Sequence, residues 1–310
     1  MTESAGTHLD ESKKDFLALV EPLIVGWNAE TAEMPHALLV QHYTELAQIS
    51  FHDVTIDGPH GPIPARVYTP VSAPLSTFMW IHGGAFVTGD LNMPEAHWVS
   101  LSLAAAGHRI VSVDYHKALG GTHYPVPMDD VHAAWKWVHT QGWNGPLRFG
   151  GGSAGGAYAA ALSVRLRDEG ALQPDAVLLV YPIVHPQLPE MTDEMNAATA
   201  GLPVRDSFNP RIIEGMMFNY AGETDALSDP HAFAGVADST GLPPTFIINS
   251  EHDVLRASGE RYAHQLKDAG VDVAWVTEMG SDHGQLNRPL DPAGISSLTR
   301  IIRWLESLQG

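Results

Sequence analysis

Short runs of β-branched and aliphatic residues alternate with helical patterns from about residue 51 to the end of the chain. Such alternation is typical of βαβ units, in which helices cover a mostly parallel sheet. The pattern predicts eight strands, at 51–57, 62–69, 76–81, 109–114, 147–151, 176–181, 245–250 and 271–277. Helices are predicted where apolar residues recur at helical spacing, at 94–107, 127–140, 154–169, 254–269 and 294–308. The fold class is therefore α/β, built around one core.

Two parts of the chain interrupt this alternation. Residues 1–50 are predicted to be helical over Phe16–Val25 and Pro35–Gln48, and residues 185–235 are irregular and contain four of the ten Met. We interpret the two as a joint cap over the C-terminal edge of the sheet, where α/β folds bind ligands. The alternative is a pair of extensions that pack a small core of their own. The predicted division is a cap segment at 1–50 and an α/β domain at 51–310 with an insertion at 185–235.

Charge and composition exclude several kinds of partner and chemistry for this protein. Asp and Glu number 36 against 17 Lys and Arg, so the formal charge of −19 repels nucleic-acid phosphates and anionic lipids and favours a neutral ligand. The absence of Cys excludes disulfides, thiolate nucleophiles and Cys-ligated metals. The start of the chain is polar and acidic, and Phe16–Trp27 is too short and interrupted to span a bilayer. We expect a soluble, cytoplasmic protein without nucleic-acid or membrane partners.

The strongest chemical signal is the glycine-rich segment Gly151–Gly156, which lies between a predicted strand and a predicted helix. A turn this sharp strains its central residue and needs very small neighbours, so Ser153 is predicted to project its hydroxyl as a nucleophile. Such turns can instead bind phosphate at a helix N-terminus. This one lacks the Lys-Ser/Thr pair of a phosphate-binding loop, and no acidic residue ends the next strand, which favours the nucleophile.

A second glycine-containing loop, His82–Phe86, follows the predicted strand 76–81. Acyl transfer from a serine needs N–H donors aimed at the developing oxyanion. The amides of Gly83 and Gly84, with the amide of Ala154 next to the nucleophile, are predicted to supply them. The alternative is that the His-Gly-Gly sequence only makes a tight turn.

A serine nucleophile also needs a base, and position has to choose among the 17 His of the chain. His283 lies in a loop after the last predicted strand and before the final helix, so it is the predicted base. His252 and His264 are the other candidates. His82 is predicted to order the loop that it begins.

The base in turn needs a carboxylate to hold its tautomer. Asp253 lies just beyond the strand 245–250, one helix and one strand before His283, and is the predicted acid. Glu251 and Asp282 compete for this role, although Asp282 is adjacent to His283 in sequence and poorly placed to reach its ring. The resulting order of Ser, Asp and His is the order found in α/β hydrolases.

Four segments together resemble one enzyme family. His-Gly-Gly-Ala-Phe at 82–86, Gly-Gly-Ser-Ala-Gly-Gly at 151–156, Asp-Val-Leu-Arg at 253–256 and His-Gly at 283–284 are similar to the motifs of hormone-sensitive-lipase-like esterases. The resemblance covers roughly 51–310 and implies the α/β-hydrolase fold, with a mostly parallel eight-stranded sheet and a helical cap. It also implies a carboxylic ester hydrolase that uses no metal or cofactor.

The chain departs from the family at three places. The family often has Asp before the nucleophile, where this chain has Gly152, and a third glycine in the oxyanion loop, where it has Ala85. The family usually has an Arg-Leu-Ala-Pro-Glu run after the fourth strand, where this chain has Asp114-Tyr115-His116-Lys117-Ala118-Leu119 before a Gly-Gly loop. The catalytic motifs are unaffected by these changes.

The sequence thus predicts a serine esterase that cleaves neutral esters of short-to-medium acyl chains through an acyl-enzyme. The small-molecule ester is the expected partner, and a homodimer is left open. The alternatives are a ligand-binding receptor of the same fold, against which the retained triad argues, and an amidase or lactonase with the same triad. The predicted substrate pocket consists of Phe86, Val184, Phe208, Met216 and Met217.

Overall fold

The computed structural model describes residues 2–30, 34–203 and 208–309. Its centre is an eight-stranded sheet in the order β1-β2-β4-β3-β5-β6-β7-β8. The strands are β1 Ser50–Gly58, β2 Gly61–Thr69, β3 Thr77–Ile81, β4 Arg109–Val113, β5 Leu147–Gly152, β6 Val177–Val180, β7 Thr245–His252 and β8 Val273–Asp282. The predicted α/β-hydrolase fold with a mostly parallel sheet is confirmed.

The pairing of the strands decides where a ligand can bind. β2 is antiparallel to both β1 and β4, and the pair Gly58↔Gly61 closes the hairpin that β1 and β2 form. All other neighbours are parallel. From β3 the chain crosses to β4 on one side and then to β5 on the other, so β3 and β5 flank a switch point. A crevice opens there beyond the carboxyl ends of the two strands.

Helices cover both faces of the sheet. They are α1 Thr2–Glu30, α2 His36–His42, α3 Pro94–Ala105, α4 Val126–Thr140, α5 Ala154–Asp168, α6 Asp193–Thr199, α7 Pro210–Ala221, α8 Arg256–Asp268 and α9 Pro292–Ser307. Because side chains alternate along a strand, β3 sends Phe78 and Trp80 to one face and Met79 and Ile81 to the other. Each face is therefore packed against its own layer of helices.

The N-terminal segment is divided between two places. α1 is one long helix where the sequence predicted only Phe16–Val25, and it packs so closely on α7 that a Cβ at Gly215 would lie 2.0 Å from the Ser12 carbonyl oxygen. The following residues behave differently, because Leu39 and Leu46 pack with Trp98 of α3. Only the first part of 1–50 therefore lies beside the insertion. Residues 1, 31–33, 204–207 and 310 of the predicted segments lie outside the described residues.

Candidate active site

The turn between β5 and α5 carries Ser153 in a conformation that L-residues rarely adopt, with φ 53° and ψ −118°. Its flanking glycines are required by contact with β3. A Cβ at Gly151 would lie 2.1 Å from the Ile81 carbonyl oxygen, and a Cβ at Gly155 would lie 1.9 Å from it. No larger residue fits there without moving the backbone, so the motif's spacing follows from how closely the turn packs on the neighbouring strand.

Three side chains form a hydrogen-bonded chain at the carboxyl ends of β5, β7 and β8. The Ser153 hydroxyl lies 3.0 Å from Nε2 of His283, and Nδ1 of His283 lies 2.6 Å from Oδ2 of Asp253. With the Nδ1 proton donated to the carboxylate, Nε2 is free to accept the proton of the serine hydroxyl. The structure brings together the three residues that the sequence singled out as nucleophile, base and acid.

The three competing carboxylates have separate hydrogen-bond partners. Asp253 is fully buried and uses its second oxygen to accept the Leu255 N–H at 2.9 Å. Glu251 accepts the Gly280 N–H at 2.6 Å, which holds the end of β8. Asp282 is exposed and lies 3.4 Å from Nδ1 of His252. Among the three, only Asp253 contacts the imidazole of His283 in the structure.

The alternative bases lie away from the serine hydroxyl. His252 lies between Glu251 and Asp282, and His264 packs edge-on against Trp275. His82 is fully buried, and its Nδ1 donates to the Gly83 carbonyl at 2.6 Å. That contact agrees with the predicted role of His82 in ordering the loop.

Two opposing effects act on His283. Burial alone lowers the pKa of this imidazole, but the negative charges of Asp253 and Glu95 outweigh burial and raise the pKa above its usual value. The positive charge of Arg288 acts weakly in the other direction. The site therefore favours a protonated His283, which is the state that a general base reaches during the reaction.

The loop after β3 requires a correction to the predicted oxyanion donors. The Gly83 N–H donates to Oε1 of Glu95 at 2.6 Å, so this amide has a partner already and does not line the cavity. Gly84 and Ala154 do line the cavity beside Ser153, together with Ala85. The error arose because adjacent peptide groups in a tight loop point in different directions, which the sequence does not reveal.

Ser153 opens into a cavity of about 470 Å³ that is mostly apolar. Phe86, Phe208 and Met216 line it as predicted, and Ile183, Leu202 and Leu255 complete its apolar wall. Val184 and Met217 do not line it. Val184 is buried in the core and its N–H donates to the Ser258 hydroxyl of α8, and Met217 is buried in the core one position along α7 from Met216. A shift of one residue in a loop or helix is enough to move a side chain off the cavity wall.

Glu95 is the main site residue that the sequence analysis missed. It lies in the first turn of α3 and is 1% exposed, in a helix whose residues from Pro94 to Ala104 are all buried. A lone carboxylate in such an apolar helix was the available signal, since a buried charge needs dedicated partners. Within the described parts of the chain, no cluster of three or more His, Asp or Glu is arranged to hold a metal, and no helix has the length and apolarity to cross a membrane.

Comparison with known proteins identifies the family of the chain. Residues 78–287 match the family model described as the alpha/beta hydrolase fold. The chain is 35% identical to esterase LipI of Mycobacterium tuberculosis over 235 residues. The matched region covers 71% of this chain and 70% of LipI.

Solved structures extend the likeness to nearly the whole chain. A hyperthermophilic esterase from Pyrobaculum calidifontis superposes with a TM-score of 0.74 at 28% identity, over 98% of this chain and 91% of that one. Brefeldin A esterase, a bacterial homologue of human hormone-sensitive lipase, superposes with a TM-score of 0.78 at 25% identity, over 94% and 85% of the two chains. The chain belongs to the hormone-sensitive-lipase-like family of carboxylesterases within the α/β-hydrolase fold.

Proposed function

We propose that this carboxylic ester hydrolase works through a serine acyl-enzyme, with Ser153 as nucleophile, His283 as base and Asp253 as its supporting acid. The observation that carries the proposal is the 3.0 Å contact between the Ser153 hydroxyl and Nε2 of His283 at the wall of the apolar cavity. Nucleophile and base lie within hydrogen-bond reach, and the buried carboxylate orients the base.

The reaction proceeds in two halves. As Ser153 attacks the ester carbonyl, His283 takes its proton and then gives it to the departing alcohol, which leaves an acyl group on the serine. Water enters next, His283 removes its proton, and the carboxylic acid is released. Asp253 keeps the proton of His283 on Nδ1 and supports the positive charge that forms on the ring.

Negative charge develops on the carbonyl oxygen in both halves. Gly84 and Ala154 line the cavity together with Ser153, and their amides are the proposed donors to this oxyanion. Gly83 contributes indirectly, since its N–H is held by Glu95.

The cavity supports a neutral ester of short-to-medium acyl length as substrate. Its wall is largely apolar, it holds about 470 Å³, and the formal charge of −19 disfavours anionic ligands. Amide and lactone hydrolysis would use the same residues. A purely ligand-binding receptor would not need the hydrogen-bonded chain from Ser153 to Asp253.

The test is hydrolysis of a chromogenic short-chain ester by the wild type and by Ser153→Ala. Because the substitution removes the nucleophile and little volume, we expect kcat to fall by about 10⁶ while the fold is retained, as found when a catalytic serine is removed from a serine protease. Ser163→Ala is the matched control: that serine is buried in α5, bonds the Ala159 carbonyl and should leave turnover unchanged. Near-normal activity of folded Ser153→Ala would overturn the mechanism.

A further inference from the structure

Glu95 is a buried carboxylate next to the reacting groups that the proposed reaction does not use. It forms part of the cavity wall, and burial raises its pKa. A carboxyl group in such a place is costly to ionise unless donors compensate for the lost water. The hydrogen-bond partners of Glu95 therefore indicate whether it only fills space or has a role in the site.

Three donors converge on this carboxylate from different parts of the chain. Oε1 accepts the Gly83 N–H at 2.6 Å, while Oε2 accepts the Tyr181 hydroxyl at 2.9 Å and Nδ2 of Asn287 at 3.2 Å. The Glu95 N–H donates in return to Oδ1 of Asn287 at 3.2 Å. The hydrogen bonds from Gly83 and Tyr181 favour the ionised form and oppose the effect of burial on the pKa of Glu95.

Each of these partners is close to a proposed catalytic group, either in sequence or by packing. Gly83 precedes Gly84, which lines the cavity and supplies a proposed oxyanion donor. Tyr181 packs edge-on against the His283 ring with centroids 5.0 Å apart, and Asn287 follows His283 by one turn of chain. The carboxylate therefore links the oxyanion loop to the segment that carries the base.

The serine turn is shaped around the same carboxylate. A Cβ at Gly152 would lie 2.6 Å from Oε1 and 2.7 Å from Cδ of Glu95. Any side chain at 152 would thus collide with the carboxylate itself. This contact explains why the chain has glycine before its nucleophile, where its family often has Asp.

We propose that Glu95, as an ionised side chain, is a positioning residue that fixes the Gly83 peptide so that the next amide faces the oxyanion, and that adds a second negative charge beside His283. This inference rests on the proposed function for the identity of the reacting groups. The groups that face Glu95 and His283 are His82, Tyr115, Tyr181, Asn287, Arg288 and Asp253.

The direction of the electrostatic effect follows from the sign of the charge. Glu95 and Asp253 both raise the pKa of His283, so removing the charge of Glu95 lowers it. Since the base must be neutral to accept the serine proton, the acid limb of kcat/KM should then move to lower pH.

The first experiment compares Glu95→Gln with the wild type. The amide keeps the shape and can still accept the Gly83 N–H, but its NH₂ opposes the Asn287 donor and the charge is lost. We expect kcat to fall about tenfold with little change in KM, a smaller effect than removal of an oxyanion donor itself, and the acid limb to move to lower pH. Glu278→Gln is the control, because Glu278 is also buried and bonds Ser296 and Arg300 outside the cavity. Glu278→Gln should leave kcat and the position of the acid limb unchanged.

The second experiment moves the carboxylate from position 95 to position 152, which lies against it. Gly152→Asp alone should abolish most activity, because two carboxylates then occupy one space. In a Glu95→Ala background the same Gly152→Asp change should restore activity above that of Glu95→Ala. A wild-type kcat and acid limb in Glu95→Gln, or no recovery in the folded double variant, overturns the proposal.

A substrate-free measurement separates this inference from the proposed function. The pKa of His283 can be followed by NMR, with His283→Gln identifying its resonance. A lower value in Glu95→Gln than in the wild type supports the charge effect even if no ester is hydrolysed, in which case the proposed function fails alone. An unchanged value in a protein that does hydrolyse esters overturns the role of Glu95.

Discussion

At the scale of single residues, the site is ordered by which hydrogen-bond partners each carboxylate already has. One oxygen of Asp253 accepts a hydrogen bond from the Leu255 N–H and the other accepts one from His283, so the orientation of the carboxylate is fixed from both sides. Glu251 is engaged with the backbone of Gly280. Glu251 contacts Gly280 and Asp282 contacts His252, whereas Asp253 contacts His283, which separates the proposed acid from its neighbours.

The proposed acid, Asp253, gives a prediction at this scale. Asp253→Asn preserves the shape but favours the wrong imidazole tautomer, and we expect kcat to fall by about 10⁴, as for the same change in a serine protease. Glu251→Gln and Asp282→Asn should be milder, since neither contacts the ring. Steady-state kinetics of the three folded variants measure the ranking, and a larger loss in Glu251→Gln or Asp282→Asn would show that the acid is misassigned.

At the scale of elements, α1 and α7 pack against each other as a helix pair. Besides the close approach at Gly215, the Ser12 hydroxyl donates to Glu214 at 3.0 Å and Arg211 forms an ion pair with Asp15. α7 also contributes Met216 to the cavity wall. The helix pair thus joins the N-terminal segment to the cavity beside Ser153 through α7.

Adjacent methionines of α7 provide a matched test of the pocket. Met216→Ala enlarges the cavity, so we expect a shift toward longer acyl chains. Met217→Ala removes the same side chain from the core away from the cavity, and should cost about 2–5 kcal/mol of stability without changing the preference. A series of p-nitrophenyl esters of increasing acyl length measures the profile, and denaturant unfolding measures the stability. Identical profiles for Met216→Ala and the wild type would exclude Met216 from acyl recognition.

At the scale of the whole molecule, several histidines are buried without charge on both sides of the sheet. Burial lowers the pKa of His97, His108 and His185 to about 4, from an ordinary value of 6.5. Between about pH 6.5 and 4, the unfolded chain therefore binds protons that the folded protein excludes. Stability rises with pH across this window and is lost on acidification.

Acid sensitivity of the fold is the corresponding prediction. As the pH falls from 6.5 to 4, each of these histidines should lower the free energy of unfolding by about 1–3 kcal/mol. Urea unfolding at a series of pH values should show a smaller decrease for His108→Gln, which can still bond Ser76. The exposed His52, changed to Gln, serves as the control and should leave the decrease unaltered. Equal slopes for His108→Gln and the wild type would contradict the prediction.

The sequence by itself determined the features that depend on local pattern. Alternating apolar runs identified the eight strands, because a strand or helix exposes its period within a few residues. The glycines around Ser153 and the positions of Asp253 and His283 after strands placed all three at one edge of the sheet. A parallel sheet gathers such strand ends together whatever the details of packing.

The tertiary structure decided everything that depends on direction and on contacts between distant segments. Gly83 and Gly84 look equivalent in sequence, yet only the fold shows that Glu95 takes the N–H of Gly83. Asn287 reaches Glu95 across 192 residues of chain. Likewise, Met216 and Met217 differ only in the face of α7 from which they project. Such choices are set by where peptide groups and side chains point once the layers have packed, and no local pattern encodes that direction.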